Sequence, residues 1–120
     1  MSSVNTYREL EVWQKSMKFV TDIYKLTQNF PNNEQFRLTS QFRRSAVSIP
    51  SNIAEGFGRR LPKKFIRFLR ISISSLFELQ TQLEISKNIE LIDLNIFDHF
   101  YENSRENERM LKGLISSIKY

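Results

Sequence analysis

Apolar residues recur at spacings of three and four along nearly the whole chain, the pattern that amphipathic helices produce. Breaks in this pattern predict helices over residues 10–29, 34–57 and 62–89, and a fourth helix that Asp93 caps. Pro31, Gly56 with Gly58, and Pro62 mark the breaks between the first three helices. Pro50 lies inside the second helix, where its missing N–H predicts a kink.

Each predicted helix has an apolar face. The third has the most regular one, with spacings that alternate between three and four as in a bundle: Phe65, Leu69, Ser72, Leu76, Leu79, Leu83 and Ser86. The first helix has Trp13, Met17, Val20 and Tyr24, widened by Phe19, Ile23 and Leu26. The second has Phe36, Leu38, Phe42, Ala46, Ile49, Ile53 and Phe57, and the fourth has Phe97, Phe100, Leu111, Ile115 and Ile118. Four helices with short connections predict an all-α, up-down-up-down four-helix bundle that forms one domain over residues 1–120.

The third helix carries a second apolar line, formed by Ile66, Ile73 and Phe77. One interpretation is a wide face that contacts two neighbouring helices of the same bundle. The other is a subunit interface, because exposed apolar stripes often mark association. The pattern leaves both open.

The composition narrows the class of protein. The 120 residues include no Cys and only three Gly and three Pro, which excludes disulfides and leaves few turns for an all-β fold. The first residues lack the pattern of a signal peptide, and no apolar run approaches the roughly 20 residues of a membrane span. We expect a cytoplasmic protein with no membrane association.

The charge is unevenly distributed. Residues 37–70 hold one acidic residue, Glu55, and nine basic ones: Arg37, Arg43, Arg44, Arg59, Arg60, Lys63, Lys64, Arg67 and Arg70. The other 86 residues hold nine basic and twelve acidic residues, so a segment of +8 accompanies a remainder of −3. A concentrated positive surface attracts polyanions, because each neutralised phosphate releases counterions. We predict that these nine residues bind nucleic acid.

A helical wheel places part of this charge on one stripe of the second helix, within roughly 40° of a line: Arg37, Arg44, Ser48, Ser51, Glu55 and Arg59. On the third helix Lys63, Arg67, Arg70 and Ser74 form a face without an acid. A solvated helix face is the simple alternative, although such a face normally mixes both signs.

The sequence predicts no catalytic chemistry. His99 is the only histidine, so neither a histidine metal pair nor a histidine relay is possible. Gly56-Phe57-Gly58 lacks the spacing of a phosphate-binding loop, and Glu55 is better interpreted as an ion-pair partner of Arg59 or Arg44 than as a general base. We expect no enzyme, no metal and no cofactor.

Several runs resemble one family. They are RELEVWQ at 8–14, FP at 30–31, TSQFRRSAVSIPSNIAEGFGRR at 39–60, FIRFL at 65–69 and SLFELQTQL at 75–83. Together they resemble the small bacterial four-helix-bundle proteins that are encoded by intervening sequences within 23S rRNA genes. The fourth helix matches only in helical character.

The resemblance implies a homopentamer, similar in fold to a basic accessory protein of diversity-generating retroelements that associates with nucleic acid and a reverse transcriptase. It implies no settled activity. The family's marked positions are Arg43, Arg44, Ser48, Asn52, Glu55, Gly56, Arg59, Ser75, Glu78 and Gln82. The chain departs from the family pattern at three places. Ser74 stands where a glycine is usual, and Gln80 stands where a glutamate is usual. Leu61-Pro62 stands where a serine commonly precedes the third helix.

Two hypotheses follow. In the first, a non-enzymatic bundle binds nucleic acid, RNA rather than DNA, through phosphate contacts. In the second, an oligomeric scaffold or adaptor uses its basic face to bind an acidic protein such as a polymerase. Binding that survives nuclease treatment would favour the second hypothesis.

Overall fold

Four long helices account for most of the chain. The computed structural model describes residues 4–119, except for the side chains of residues 34–36. A 3-10 turn at Tyr7–Glu9 precedes α1 (Glu11–Thr27), and α2 (Ser40–Gly58), α3 (Pro62–Asn88) and α4 (Leu94–Ser117) follow. The side chain of Asp93 accepts a hydrogen bond of 2.8 Å from the N–H of Ile96 and caps α4, as predicted.

The start of the second helix differs from the prediction. Residues Asn32–Glu34 form a 3-10 turn and Gln35–Thr39 form a π-helical turn before α2 begins. These turns are helical, but their backbone hydrogen bonds span three or five residues instead of four. The apolar spacing detects a helical segment without distinguishing these types.

The four helices pack as a bundle in which neighbours along the chain are antiparallel. The Ser45 hydroxyl donates to Glu78 at 3.3 Å, and the hydroxyls of Ser48 and Ser75 lie 2.8 Å apart, so the numbers rise along α2 as they fall along α3. Contacts of α4 with α1 and with α3 show the same reversal. α1 packs against α2 and α4, which closes the bundle. The predicted up-down-up-down order is confirmed.

Most of the predicted core is confirmed. All seven residues of the α3 line are buried, as are Leu38, Phe42, Ala46, Ile49 and Ile53 of the second helix. Phe57 is half-buried, and Phe36 lies outside the described side chains. In α4, Phe97, Phe100 and Leu111 are buried, while Ile115 and Ile118 are half-buried and pack against the core.

The predicted face of α1 is wrong in part. Met17 and Tyr24 are exposed, and the buried line consists of Val12, Ser16, Phe19, Val20, Ile23 and Thr27. Two polar residues can be buried there because their hydroxyls bond within the helix. Ser16 donates to the carbonyl of Trp13 at 2.8 Å, and Thr27 donates to that of Ile23 at 2.9 Å.

The junction between α2 and α3 also corrects a prediction. Gly56 does not end α2 but lies inside it, where a Cβ would approach the Cβ of Phe68 to 2.5 Å. Its role is therefore the close approach of α3. The residue with left-handed backbone at the junction is Arg60, with φ of 59°. α2 continues through Pro50, and Pro62 begins α3 at the position where a missing N–H costs least.

None of the helices within residues 4–119 combines the length and the apolar character that a bilayer crossing requires.

Candidate nucleic-acid interface

The structure divides the nine predicted nucleic-acid-binding residues into three groups. Six occupy the α2–α3 junction and the first turns of α3, and we call them the junction surface: Arg59, Arg60, Lys63, Lys64, Arg67 and Arg70. Arg37 and Arg44 lie towards the other end of α2, and at 1.5 Å per residue Arg44 is about 22 Å from Arg59 along the helix. Arg43, the third group, contacts Thr27 and Tyr24 of α1. The junction surface is therefore the densest positive region.

The α3 side of the junction surface is continuous. Lys63, Arg67, Arg70 and Ser74 are all exposed, and together with Ile66 and Ile71 they line a shallow cavity of about 330 Å³. Residues 63, 67, 70 and 74 follow one another at spacings of three and four, which stacks their side chains along one face. This confirms that the four residues share a face. Such a face offers two guanidinium forks, an ammonium group and a hydroxyl to an anion.

Most of the predicted cations lack an acidic partner. Of the residues described, Arg37, Arg44, Arg60, Lys64, Arg67 and Arg70 take part in no ion pair. Of the nine basic residues outside residues 37–70, five contact a carboxylate: Lys15, Lys18, Lys87, Arg105 and Lys112. The contact between Lys15 and Glu106, for example, raises the pKa of the lysine and lowers that of the glutamate through a hydrogen bond and the opposite charges. The basic segment thus keeps a charge that its own bundle does not neutralise.

Arg59 is held in place by its own helix. Its guanidinium lies 3.3 Å from the carboxylate of Glu55 and 5.3 Å from the centre of the Phe68 ring. The sequence predicts that Glu55 pairs with Arg59 or with Arg44, and the structure confirms the pair with Arg59. Both side chains are about half exposed, so the pair orients Arg59 more than it stabilises the fold.

Arg43 is committed to a structural contact. Its Nε donates to the Thr27 hydroxyl at 2.8 Å, and its NH2 group donates to the backbone carbonyl of Tyr24 at 3.3 Å. The guanidinium also lies over the Tyr24 ring, 4.5 Å from its centre. These contacts join α1 to α2, and they add a donor to a carbonyl that already accepts from the N–H of Gln28. Its role in nucleic-acid binding stays a prediction, but two of its five N–H donors already bond to α1.

Four of the family positions, Ser48, Asn52, Ser75 and Glu78, form hydrogen bonds along the line where α2 and α3 touch. The Asn52 amide donates to the backbone carbonyl and the hydroxyl of Ser48, at 2.8 and 2.9 Å, and the Ser75 hydroxyl donates to Ser48 at 2.8 Å. Gly56 lies farther along the same line, against Phe68, and the Oε1 atom of Gln82 on α3 is buried without a hydrogen-bond partner. A polar ladder of this kind fixes the register of the two helices.

Sequence reasoning missed two members of these networks. Ser45 donates to Glu78 at 3.3 Å, and Thr27 accepts from Arg43. Ser45 directly follows Arg43 and Arg44 in the sequence. Only its spacing of three residues from Ser48 indicates that it shares a helix face with the polar ladder.

The predicted subunit interface is only partly exposed. Ile66 and Ile73 retain 8% and 9% of their surface, because α3 contacts two helices of the same chain, whereas Phe77 retains 45%. The wide-face interpretation therefore accounts for the two isoleucines. An interface role for the three residues stays a prediction, and it rests mainly on Phe77.

No metal cluster accompanies this surface: within the described part of the chain, no group of three or more His, Cys, Asp or Glu side chains is placed to hold a metal ion. His99 is exposed on α4, where its ring contacts the amide of Asn103 at 3.3 Å.

Comparison with known proteins now identifies the family. The profile of the 23S rRNA-intervening sequence proteins matches residues 8–113. The chain belongs to this family. The resemblance of the runs at 8–14 and 39–60 is thereby confirmed.

A solved structure agrees with the assignment. It is a protein of unknown function from the S23 ribosomal protein family of Bacteroides thetaiotaomicron VPI-5482, with 27% identity and a TM-score of 0.82 over 88% of this chain and 96% of that one. No curated protein matches the sequence.

Proposed function

We propose that this 23S rRNA-intervening sequence protein binds nucleic acid, RNA in preference to DNA, through phosphate contacts of its junction surface. The observation that carries the proposal is the set of exposed cations without ion pairs on α2 and α3. Cations that are not neutralised within the bundle attract phosphates strongly and release counterions when they bind them.

The proposed contacts position the backbone of the nucleic acid and do not read bases. Among the described aromatic residues near the surface, Phe65 is buried, Phe57 packs edge-on against it at 5.8 Å, and Phe68 lies under the guanidinium of Arg59. None of the three side chains is fully exposed, which disfavours base stacking of the single-strand kind. Selectivity would therefore come from the shape of a folded RNA.

The test is a titration of the protein against a labelled RNA hairpin and a DNA duplex of equal length at several salt concentrations. On a duplex each phosphate contact contributes about 0.9 to the slope of log K against log salt, so Arg67→Glu with Arg70→Glu should lower that slope by about 2. Both side chains are exposed, and the helix content measured by circular dichroism should be unchanged.

The matched control is Lys25→Glu with Arg109→Glu. These residues are exposed on α1 and α4, outside the basic segment, and the double change alters the net charge by the same amount. We expect this control to weaken binding far less than the α3 variant. Equal loss in both would mean that only net charge matters, and no binding at low salt would refute the proposal. The basic surface would then suit an acidic protein partner, as in the adaptor hypothesis.

We also propose that copies of the chain associate, as the homopentamer that the resemblance implies. Support comes from three apolar side chains on α3, Ile71, Phe77 and Ile85, which are 39–45% exposed. Phe77→Glu should reduce the sedimentation coefficient, while Ile96→Glu, at an exposed apolar position of α4, should not. A monomeric wild-type protein at micromolar concentration would contradict this.

A further inference from the structure

A second cavity lies beside the junction surface but has a different chemistry. It measures about 570 Å³ and is formed where Val4, the α2–α3 junction and the end of α4 meet. Its apolar lining consists of Val4, Phe57, Leu61, Pro62, Phe65 and Ile118. The volume lies within the range of small-molecule sites, which are mostly apolar with a few placed polar groups.

The polar groups of this cavity are mainly cations. Arg60 and Lys119 line it and are exposed, and no acidic side chain occurs among the described lining residues. The third polar residue, Ser117, already donates its hydroxyl to the carbonyl of Leu114 at 2.7 Å. An apolar cavity with two exposed cations is complementary to one class of ligand, a molecule with a hydrocarbon part and an anionic head.

The backbone at Arg60 supports this. A φ of 59° is unfavourable for a side chain other than Gly, Asn or Asp. Leu61 follows and remains 54% exposed although it is apolar and lines the cavity. Strained backbone and exposed apolar area both cost stability, and they occur here in adjacent residues at the rim of one cavity.

We propose that this cavity binds an amphipathic monoanion, such as an aliphatic carboxylate, with the tail between Phe57, Leu61 and Ile118. Arg60 offers a guanidinium fork to the head group, and Lys119 supplies a second positive charge. Transfer of the tail from water drives binding, and the two cations select the anion. The proposal does not depend on nucleic-acid binding.

The probe is decanoate below its micelle concentration, added to ¹⁵N-labelled protein. Amide signals of residues 59–61, 63–65 and 117–119 should shift together and saturate. Acetate lacks the tail and decylammonium has the opposite charge, so neither should produce these shifts. Equal binding of decylammonium, shifts spread over the whole bundle, or no shift would overturn the proposal. So would shifts at these residues on raising the protein concentration alone, because a second copy would then cover the cavity.

Two variants separate a binding defect from a folding defect. Arg60→Asn removes the charge but keeps a residue that tolerates positive φ, so the thermal midpoint should stay unchanged. Loss of one charge-assisted contact should weaken decanoate binding about tenfold. Arg67→Gln removes a charge from the neighbouring α3, outside the cavity, and should leave decanoate binding unchanged. Equal effects of the two variants would mean that decanoate senses only the general positive charge, which would refute the site.

Discussion

The guanidinium of Arg43 donates a hydrogen bond of 2.8 Å to the hydroxyl of Thr27, which is buried and in turn donates to the carbonyl of Ile23 at 2.9 Å. A cation of the basic segment at residues 37–70 thus belongs to the contact between α1 and α2. Its neighbour Arg44 is exposed and has no ion-pair partner in the described structure. Two adjacent arginines therefore have different roles, which mutation can separate.

Arg43→Ala should lower the free energy of unfolding by about 1–3 kcal/mol, because the Thr27 hydroxyl loses its donor, the Tyr24 carbonyl loses one of its donors and the Tyr24 ring loses its cation. Arg44→Ala should change it by less than about 0.5 kcal/mol, as surface substitutions usually do. Urea denaturation followed by circular dichroism measures both. Equal stability of the two variants would show that the Arg43 contacts contribute nothing net.

The same pair tests how far the nucleic-acid surface extends. We expect Arg44→Glu to weaken RNA binding less than Arg67→Glu, since Arg44 lies about 22 Å from the junction along α2. Titration at one low salt concentration is sufficient. If Arg44→Glu has the larger effect, the α2 stripe and not the junction surface is the main contact.

Gly56 and Gly58 provide a matched pair of glycines in one helix. A Cβ at Gly56 would lie 2.5 Å from the Cβ of Phe68, whereas a Cβ at Gly58 meets no atom within 4 Å. Gly56→Ala should destabilise the fold by about 1–3 kcal/mol, because α2 and α3 must separate. Gly58→Ala should stabilise it by about 0.5–1 kcal/mol, because the unfolded chain loses freedom. Urea denaturation measures both changes in the free energy of unfolding, and two changes in the same direction would contradict this explanation.

The sequence predicts α3 and the bundle well because the α3 line is long and regular and five of its seven residues are apolar. It predicts α1 less well for a specific reason. Hydropathy counts Met17 and Tyr24 as core and ignores Ser16 and Thr27, yet internal hydrogen bonds let the two hydroxyls be buried. Tyr24 instead lies at the surface under the guanidinium of Arg43.

The candidate site shows the same limit. A count of charges identifies the basic segment but treats Arg43 and Arg67 alike, because it does not show which residues each arginine contacts in the folded bundle. The helical wheel is more informative than the charge count. It places Arg43 about 100° from Arg44, outside the stripe of the second helix that includes Arg44 and Arg59. The cavity beside Arg60 and Lys119 could not be predicted at all, since it joins segments from both ends of the chain.

Gln80 of α3 donates to Glu108 of α4, and the titration of Glu108 makes the stability of this contact depend on pH. The Gln80 amide donates to the hydroxyl of Ser104 at 3.1 Å and to the carboxylate of Glu108 at 3.3 Å. Burial raises the pKa of Glu108, but hydrogen bonds from Lys112 and Gln80 and the charges of Lys112 and Arg105 outweigh it, so the pKa is lowered overall. The stability that Glu108 contributes is therefore present above its unfolded pKa and is lost as the pH falls through the folded value.

Gln80→Glu would replace a donor with a second carboxylate next to Glu108. We expect it to lower the free energy of unfolding at neutral pH by about 1–3 kcal/mol, because the two charges repel and an acceptor loses its donor. Repulsion raises the pKa of the carboxyl pair, so the deficit should shrink as the pH falls and one group takes up a proton.

Gln80→Met is the control: it removes the donor without adding charge, so its deficit should vary much less with pH. Thermal unfolding of the three proteins between about pH 4 and 8 measures this. A Gln80→Glu deficit that stays constant over this range would show that the carboxylates do not interact, and that the Gln80 contact fixes the geometry of α3 and α4 without affecting their charge.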